Sequence, residues 1–542
     1  MQEWKTREQL ENLLCTLSEY PSITGSDDEI AIVQYLYHLL SERDYFIKNE
    51  EHLNLHPLDD GRQLLTALVK KDETVSDTIV LLAHIDVVDV EDYGSFINLA
   101  FHPRELTKEF HKNPDILPLD ARNDLLTGNW LFGRGTMDMK AGLTVHLSLL
   151  EKAMNGNFPG NIMLVVVPDE EVNSAGMLAS LPVLQEWKQK YELNYVTCLN
   201  GEPMFSRYPG DENFYMYMGS IGKVLPGFYC YGKESHVGEP FAGVNANVMT
   251  SYINQELELH ESFVEKVGEE VTPPPVSLMS RDLKEEYSVQ TPIAGISMYN
   301  ILYMRQSLGD ITEKLLDSCY RAKQKIEAHY KTKAKNFSEK AGISYESNVH
   351  VNILLYEDLF KEAIKRFGEQ EVLRRQNLLI NNRDHGDRDF STLLVQDLAY
   401  LCKDLAPMIV LFYSPPFYPS VSSKENTLIQ DVTKEIQREI EKSYDMKLEA
   451  VEFFPGLSDL SYIGSPAADM QTTLLEQNMP IHNKGYTLNT EAMNEVSMPV
   501  LNIGPLGKDP HQWTERLELT YTFEKLPVIL EKTIHHIFSM KK

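Results

Sequence analysis

Histidines and acidic residues follow the apolar runs of this sequence at several separate points. These residues are His84 with Asp86, Asp138, Glu170 with Glu171, Glu202, and His511. Imidazole and carboxylate groups can hold metal ions and can transfer protons during hydrolysis. None of the positions is specific by itself. Because the pattern recurs along the chain, it indicates one active site if folding brings these points together.

The elements that must position these residues alternate between strands and helices. Continuous apolar runs at 78–84, 161–167, 195–199 and 499–503 are typical of strands buried on both faces of a parallel sheet. Helical patterns at 140–154 and 174–190 lie between them. This alternation predicts an α/β fold with a mostly parallel sheet. Since the carboxyl ends of parallel strands open into one crevice, we expect the histidines and carboxylates to meet there.

The length of 542 residues leaves room for more than one domain. We predict a catalytic domain at 1–218 and 406–542, and an inserted, smaller α+β lid domain with an antiparallel sheet at 219–356. Residues 357–405 are predicted to be a helical insertion. The segment 91–128 contains three prolines and many polar residues, and we predict a long loop there, of the kind that forms functional lids.

The composition excludes several classes of function. The net charge of −29 argues against nucleic-acid binding and against anionic membrane surfaces. No apolar stretch approaches the roughly 20 residues that span a bilayer. The five cysteines are scattered and form no CxxC pair, which is typical of free thiols in a reducing compartment. We therefore expect a cytoplasmic protein.

Several motifs resemble those of the M20 family of dinuclear metallopeptidases and amidohydrolases. They are Ala-His84-Ile-Asp86, the Gly-Arg-Gly-Thr-Met-Asp138 segment, Asp-Glu170-Glu171, Gly-Glu202-Pro, and the segment from His511 to Arg516. They occur in the order that the family has. The length and the segment ending at Arg305 are most similar to the arginine-utilisation (RocB-type) branch.

The resemblance implies two divalent metal ions, with Asp138 as the ligand that bridges them. His84 and Glu202 would complete one metal site, and Glu171 and His511 would complete the other. Mixed imidazole and carboxylate ligands suit zinc, with manganese and cobalt as alternatives. A bridging carboxylate matches the separation of roughly 3.5–4 Å between the ions of two-metal hydrolases.

The resemblance also implies roles for residues that bind no metal. Asp86 would hold the second ring nitrogen of His84, and Glu170 would carry the proton from water to the leaving amine. His236, on the lid, would donate a hydrogen bond to the developing oxyanion. Arg305 would bind a substrate carboxylate, and Asp459 lies in a segment similar to a loop that lines the family's site.

Each of these residues also has an ordinary structural interpretation. A lone histidine such as His84 is often a core residue, and Asp138 could cap the helix that follows it. The pair at 170–171 could be an acidic helix start, stabilised by the helix dipole. Glu202, His511 and His236 could be polar turn residues.

The function that the resemblance implies is hydrolysis of an amide bond in a small substrate with a free carboxylate. A dipeptide or an N-acyl amino acid fits this description, and the RocB-type branch suggests a link to arginine or ornithine breakdown. A homodimer is expected from the family. An exopeptidase acting on longer peptides is an alternative. A non-catalytic binding protein of the same fold is another, although such a protein has no need of a free base like Glu170.

Overall fold

The computed structural model describes residues 3–208, 210–211 and 213–541. The strands, in chain order, are β1 (Leu53–Pro57), β2 (Gln63–Val69), β3 (Asp77–His84), β4 (Trp130–Phe132), β5 (Asn161–Val167), β6 (Asn194–Asn200), β7 (Phe214–Tyr217), β8 (Gly219–Ser220), β9 (Gly222–Tyr231), β10 (Lys266–Val267), β11 (Glu270–Val271), β12 (Val276–Asp282), β13 (Ala294–Tyr303), β14 (Asn352–Leu355), β15 (Met408–Tyr418), β16 (Val421–Ser422), β17 (Leu448–Val451), β18 (Val500–Asn502), β19 (Gly507–Lys508) and β20 (Arg516–Glu518).

The α-helices, in chain order, are α1 (Arg7–Ser18), α2 (Asp27–Ser41), α3 (Asp44–Lys48), α4 (Pro103–Lys112), α5 (Leu119–Thr127), α6 (Lys140–Met154), α7 (Ala175–Lys190), α8 (Ala246–Leu257), α9 (Leu308–Ala341), α10 (Tyr356–Phe367), α11 (Glu369–Asn381), α12 (Asp387–Leu401), α13 (Thr427–Tyr444), α14 (Thr472–Asn478), α15 (Thr490–Val496) and α16 (Leu526–Met540). Among the described helices, none has the length and apolar character needed to cross a membrane.

One compact unit is formed by residues 1–221, 421–465 and 489–542. Its main sheet has the strand order β1-β2-β5-β3-β6-β18-β7-β17. Strands β5, β3, β6 and β18 run parallel to one another, whereas β2 pairs antiparallel with β5 and β7 pairs antiparallel with β18. The side chains of β5 are buried along its whole length, as the apolar run predicts. The predicted α/β fold class is confirmed.

The other compact unit is formed by residues 222–420 and 466–488. Its sheet has the order β12-β13-β9-β15-β14, and β9 pairs antiparallel with both β13 and β15. Residues 357–405 contain α10, α11 and α12, which share a core with β9 and β15. Because β15 pairs with β9, residues 406–420 lie in the second unit. Residues 466–488 also belong to it, whereas we predicted both segments in the catalytic domain. The sequence alone does not show this, because β9, with which β15 pairs, lies far away along the chain.

The segment 91–128 is not the extended loop that we predicted. It contains the 3-10 turn Glu91–Leu99, α4, a second 3-10 turn and α5. Pro103 stands at the first position of α4, where a missing N–H costs nothing and the fixed φ favours a helix. Tyr93, Phe110 and Leu125 are buried together in a small core, which the segment shares with Phe132 of β4. The prolines start helical turns here and do not mark a structureless loop.

Candidate active site

The ends of three neighbouring strands bring the predicted metal ligands of the first unit together. His84 is the last residue of β3, which runs parallel to β5 on one side and to β6 on the other. Glu170 and Glu171 lie in the turn after β5, and Glu202 lies two residues after β6. Side chains at adjacent carboxyl ends of a parallel sheet share one crevice.

The imidazole of His84 is surrounded by carboxylates. Its Nε2 atom lies 3.3 Å from Asp138 Oδ1, 3.4 Å from Glu202 Oε1 and 3.9 Å from Glu170 Oε2. His84 is only 2% exposed, yet this Nε2 atom makes no hydrogen bond of good geometry to the described residues. A buried nitrogen without a hydrogen bond, facing several carboxylate oxygens, is the arrangement that a bound cation would complete.

The two oxygens of Asp138 face two different histidines. Oδ1 lies near His84, and Oδ2 lies 3.2 Å from His511 Nε2. The same His511 nitrogen lies 3.1 Å from Glu171 Oε1. One carboxylate between two imidazoles is the geometry that a ligand shared by two metal ions requires. The distances therefore fit the predicted ligand sets on both sides of Asp138.

The electrostatics of the cluster also fit bound cations. Burial raises the pKa of Glu202 to about 7, with neighbouring Asp138 adding to the effect, and it raises the pKa of Glu170 well above its usual range. Burial lowers the pKa of His511, but hydrogen bonds to Asp138 and Glu171 raise it to about 11. Four buried carboxylates beside two imidazoles leave an excess of negative charge. Divalent cations would offset this charge, so the donor set fits two metal ions.

A different ligand set also lies within reach. His84, Glu170 and Glu202 place one donor atom each within 4.8 Å of one another, as do His84, Asp138 and Glu171. The first of these sets would make Glu170 a metal ligand and not a base. The predicted division of roles between Glu170 and its neighbour Glu171 therefore needs a test by substitution.

Asp86 contacts His84 in a different way from the one we expected. The Nδ1 atom of His84 lies 3.0 Å from the backbone oxygen of Asp86, and its distance to the carboxylate is 3.6 Å. The carboxylate instead accepts hydrogen bonds from the backbone N–H groups of Glu170 and Glu171, at 3.0 and 3.1 Å, and from the Thr24 hydroxyl. Asp86 thus joins the histidine to the turn that carries the two glutamates.

A buried ion pair supports the same turn from the other side. The Arg62 guanidinium lies 2.7 Å from Asp169 Oδ1 and 3.1 Å from Glu29 Oε2. Asp169 has a left-handed backbone, with φ of 70°, and its N–H donates to Glu29 Oε1. Such a backbone is uncommon outside glycine and persists where surrounding contacts hold it. These contacts fix the direction in which Glu170 leaves the sheet.

Asp459 is a buried carboxylate beside the predicted metal ligands. It is 2% exposed, and neither of its oxygens makes a satisfactory hydrogen bond to the described residues. Burial raises its pKa to about 7, which the nearby Ser174 hydroxyl and His84 partly oppose. An unpaired buried carboxylate is costly, so a positively charged partner would stabilise it.

His236 and Arg305 belong to the second unit, so the cluster described above contains neither of them. His236 Nδ1 accepts a hydrogen bond from the N–H of Gly238. The backbone N–H of Arg305 donates to Glu265, and its side chain is exposed. Their predicted roles stay predictions.

Glu515 and Arg134 are charged residues next to the cluster, and the sequence predicted no role for either of them. Glu515 is fully buried, and its Oε2 lies 2.8 Å from Arg134 Nη1. Its Oε1 accepts a hydrogen bond from the N–H of Met137, next to Asp138. The two partners are 381 residues apart in the chain, so no local pattern predicts their contact.

Comparison with known proteins agrees with this geometry. The sequence model of peptidase family M20/M25/M40 matches residues 80–496. The uncharacterized protein YqjN of Bacillus subtilis (strain 168) is 49% identical over 532 residues, which are 98% of this chain and 96% of YqjN. Protein RocB of the same strain is 30% identical over 546 residues, with 98% and 95% of the two chains covered.

The fold has solved counterparts. The crystal structure of aminopeptidase PepT from Bacillus cereus ATCC 10987 matches 99% of this chain and 100% of its own, with a TM-score of 0.51 and 12% identity. This likeness concerns the fold alone. The family model and the full-length similarity to RocB confirm the resemblance that the motifs indicated. This chain is a metallohydrolase of peptidase family M20.

Proposed function

We propose that this enzyme hydrolyses an amide bond in a small substrate that carries a free carboxylate, either a dipeptide or an N-acyl amino acid. The observation that carries the proposal is the position of Asp138 between His84 and His511, with 3.3 and 3.2 Å between the facing atoms. The resemblance of the motifs to the arginine-utilisation (RocB-type) branch, to which the full-length similarity to RocB corresponds, supports a substrate connected with arginine or ornithine breakdown.

The residues around Asp138 would hold two divalent ions. His84 and Glu202 would complete one site, and Glu171 and His511 would complete the other. When bound, the ions would supply Lewis acidity toward the amide carbonyl and would make water more acidic. We propose zinc, since imidazole and carboxylate donors suit it, with manganese and cobalt as alternatives.

Glu170 would act as the general base and then as the general acid. Its carboxylate would take a proton from the attacking water and deliver that proton to the nitrogen of the leaving amine. Asp86 would keep Glu170 in place, because its carboxylate accepts the backbone N–H groups of the 170–171 turn. The carbonyl of Asp86 would fix the tautomer of His84 that leaves Nε2 facing the carboxylates.

Two residues would recognise the substrate. Arg305 would bind the substrate carboxylate through its planar guanidinium. Asp459 would bind an ammonium or guanidinium group, because its buried carboxylate has no satisfactory partner among the described residues. A cationic group of this kind is what a derivative of arginine or ornithine would offer.

Replacing Asp459 with asparagine is expected to raise KM for a cationic substrate by about 10- to 100-fold, since a hydrogen bond to a charged group contributes about 1.5–3 kcal/mol. A neutral substrate of the same size should be little affected, and both metals should stay bound. Steady-state kinetics on N-acetylarginine and N-acetylnorleucine measure the difference. An equal increase in KM for both substrates would show that Asp459 does not recognise the positive charge of the substrate.

Replacing His236 with alanine is expected to lower kcat by about 10²–10³-fold without loss of metal, because a donor to the oxyanion acts mainly in the transition state. His260 provides a matched control in the same unit. Its Nδ1 also accepts a backbone N–H from two residues ahead, at the same 3.1 Å. His260→Ala should keep normal turnover. A loss of metal in His236→Ala would contradict the assignment.

The proposed activity is tested by incubating the metal-loaded enzyme with N-acyl amino acids, dipeptides and longer peptides, including arginine derivatives. Release of a free amino acid from the small substrates is expected. Cleavage of longer peptides alone would favour an exopeptidase. Binding of two metals without hydrolysis of any substrate class would favour a binding protein.

We also propose a cytoplasmic homodimer. The five cysteines are buried free thiols, which fits a reducing compartment. Strand β12 is an edge strand of its sheet and exposes Val276 and Leu278, so it could pair with a second copy. Sedimentation velocity of the purified enzyme measures its oligomeric state, and a monomer at micromolar concentration would exclude the dimer.

A further inference from the structure

Two fully buried arginines lie beside the turns that carry Asp138 and His511. Arg134 is 1% exposed and precedes Asp138 by four residues, and Arg516 is 0% exposed and follows His511 by five. A buried guanidinium is costly unless its donors are paired. The hydrogen-bond and ion-pair partners of these two arginines therefore show which residues hold the two turns in place.

Arg134 connects the Asp138 turn to Glu515. The Glu515 carboxylate binds Arg134 Nη1 through Oε2, and its Oε1 accepts from the N–H of Met137 at 3.2 Å and faces the N–H of Asp138 at 3.5 Å. The remaining donors of Arg134 reach Asp92 Oδ1 at 3.1 Å and the backbone oxygen of Asp89 at 3.3 Å. The backbone of the bridging ligand is thus held by a buried ion pair.

Arg516 connects the His511 turn to helix α5. Its Nε lies 2.8 Å from Asp124 Oδ2, its Nη2 lies 3.1 Å from Asp120 Oδ2, and its Nη1 binds Asp509. Asp509 and His511 both have left-handed backbones, with φ of 57° and 61°. Residues other than glycine rarely adopt this conformation unless surrounding contacts hold it. Asp509 is held at the same time by the Thr514 hydroxyl, at 2.7 Å.

Both arginines reach the segment 91–128, which supplies Asp92 to one and Asp120 and Asp124 to the other. We propose that this segment, with the buried residues Arg134, Glu515 and Arg516, forms an ionic brace that positions Asp138 and His511 for metal binding. The inference rests on the metal roles proposed above. Glu515 accepts backbone N–H groups at Met137 and Asp138, and Arg516 holds Asp509, two residues before His511. These residues and Arg134 are therefore positioning residues.

The brace is tested with Glu515→Gln, which keeps the shape of the side chain but removes its charge. Partners outside the ligand set typically change metal affinity by about 10–100-fold. We expect that loss for Zn²⁺, measured by competition with a chromophoric chelator on metal-free protein. Co²⁺ absorption bands should shift as well, because the bridging ligand moves. Neither readout depends on turnover.

Glu151 provides a matched control in the same unit. It is a buried glutamate that pairs with Arg43 at 3.3 Å and accepts the N–H of Trp4 at 2.8 Å, as Glu515 pairs with an arginine and accepts a backbone N–H. Glu151→Gln is expected to lower the melting temperature while leaving the Zn²⁺ affinity and the Co²⁺ bands unchanged. General destabilisation would affect the two variants alike.

A second variant keeps the test decisive where Glu515→Gln fails to fold. Asp92 and Asp120 have side chains that are 36% and 64% exposed, so Asp92→Asn with Asp120→Asn should fold. This double variant is expected to weaken Zn²⁺ binding by less than Glu515→Gln does, but measurably. Wild-type affinity in the double variant, or equal affinities in the Glu515 and Glu151 variants, would overturn the brace alone. If the wild type bound none of Zn²⁺, Mn²⁺ and Co²⁺, the proposed function would be overturned, and the brace with it.

Discussion

Replacing Glu170 with glutamine is expected to lower kcat by about 10⁴-fold while both metal ions stay bound. General acid–base catalysis typically contributes about 10²–10⁴-fold, and here one residue would serve both proton transfers. Glutamine keeps the shape of glutamate and one acceptor oxygen, but it cannot take up a proton at neutral pH. Since the substrate should still bind, the loss should fall on kcat and not on KM.

The neighbouring Glu171 is the matched control for this prediction. Both residues donate their backbone N–H to the carboxylate of Asp86, at nearly equal distances. Their side chains face different imidazoles. Glu171 Oε1 lies 3.1 Å from His511 Nε2, whereas Glu170 Oε2 lies 3.9 Å from His84 Nε2. Glu171→Gln should therefore weaken one metal site. Loss of a metal in Glu170→Gln, with full occupancy in Glu171→Gln, would reverse the two assignments.

Replacing Asp138 with asparagine is expected to reduce the affinity for both metal ions and to bring hydrolysis down to the background rate. The reason is geometric, since each carboxylate oxygen faces a different imidazole, at 3.3 and 3.2 Å. Asparagine replaces one of these oxygens with an NH₂ group, which cannot ligate a cation, and it removes the negative charge. Metal content after dialysis, measured by plasma mass spectrometry, checks the result.

Asp459→Asn is the control for this second prediction. It removes a carboxylate of similar burial from the same cluster, but from a position without a predicted metal. Its metal content should equal that of the wild type. If Asp138→Asn kept both ions at wild-type affinity, Asp138 would not be a ligand of either metal.

The sequence predicted that His84, Glu170 and Glu202 lie close together, because the strands before them are buried and parallel. His84, Glu170 and Glu202 follow runs that have few polar residues, and such runs predict adjacent strands with a common carboxyl edge. The contacts that hold these residues could not be predicted in the same way. The backbone carbonyl of Asp86 replaces its carboxylate as the partner of His84, and this depends on the exact turn after β5.

Long-range pairing explains the remaining differences. The segment 91–128 folds into helices because it buries its own aromatic residues, a pattern that the prolines obscure. Strand β15 belongs to the second unit because it pairs with β9, almost 200 residues earlier in the chain. Glu515 pairs with Arg134, which lies 381 residues earlier in the chain. Local periodicity carries no information about partners at such separations.

We propose that two metal ions at Asp138 support amide hydrolysis by this enzyme. The most direct test is a titration of metal-free wild-type enzyme with Zn²⁺, Mn²⁺ or Co²⁺, in which bound metal and hydrolysis are followed together. We predict no hydrolysis without metal, and full activity on binding of two ions per chain. Full hydrolysis by a verified metal-free sample, or maximal activity with a single bound ion, would contradict the two-metal mechanism.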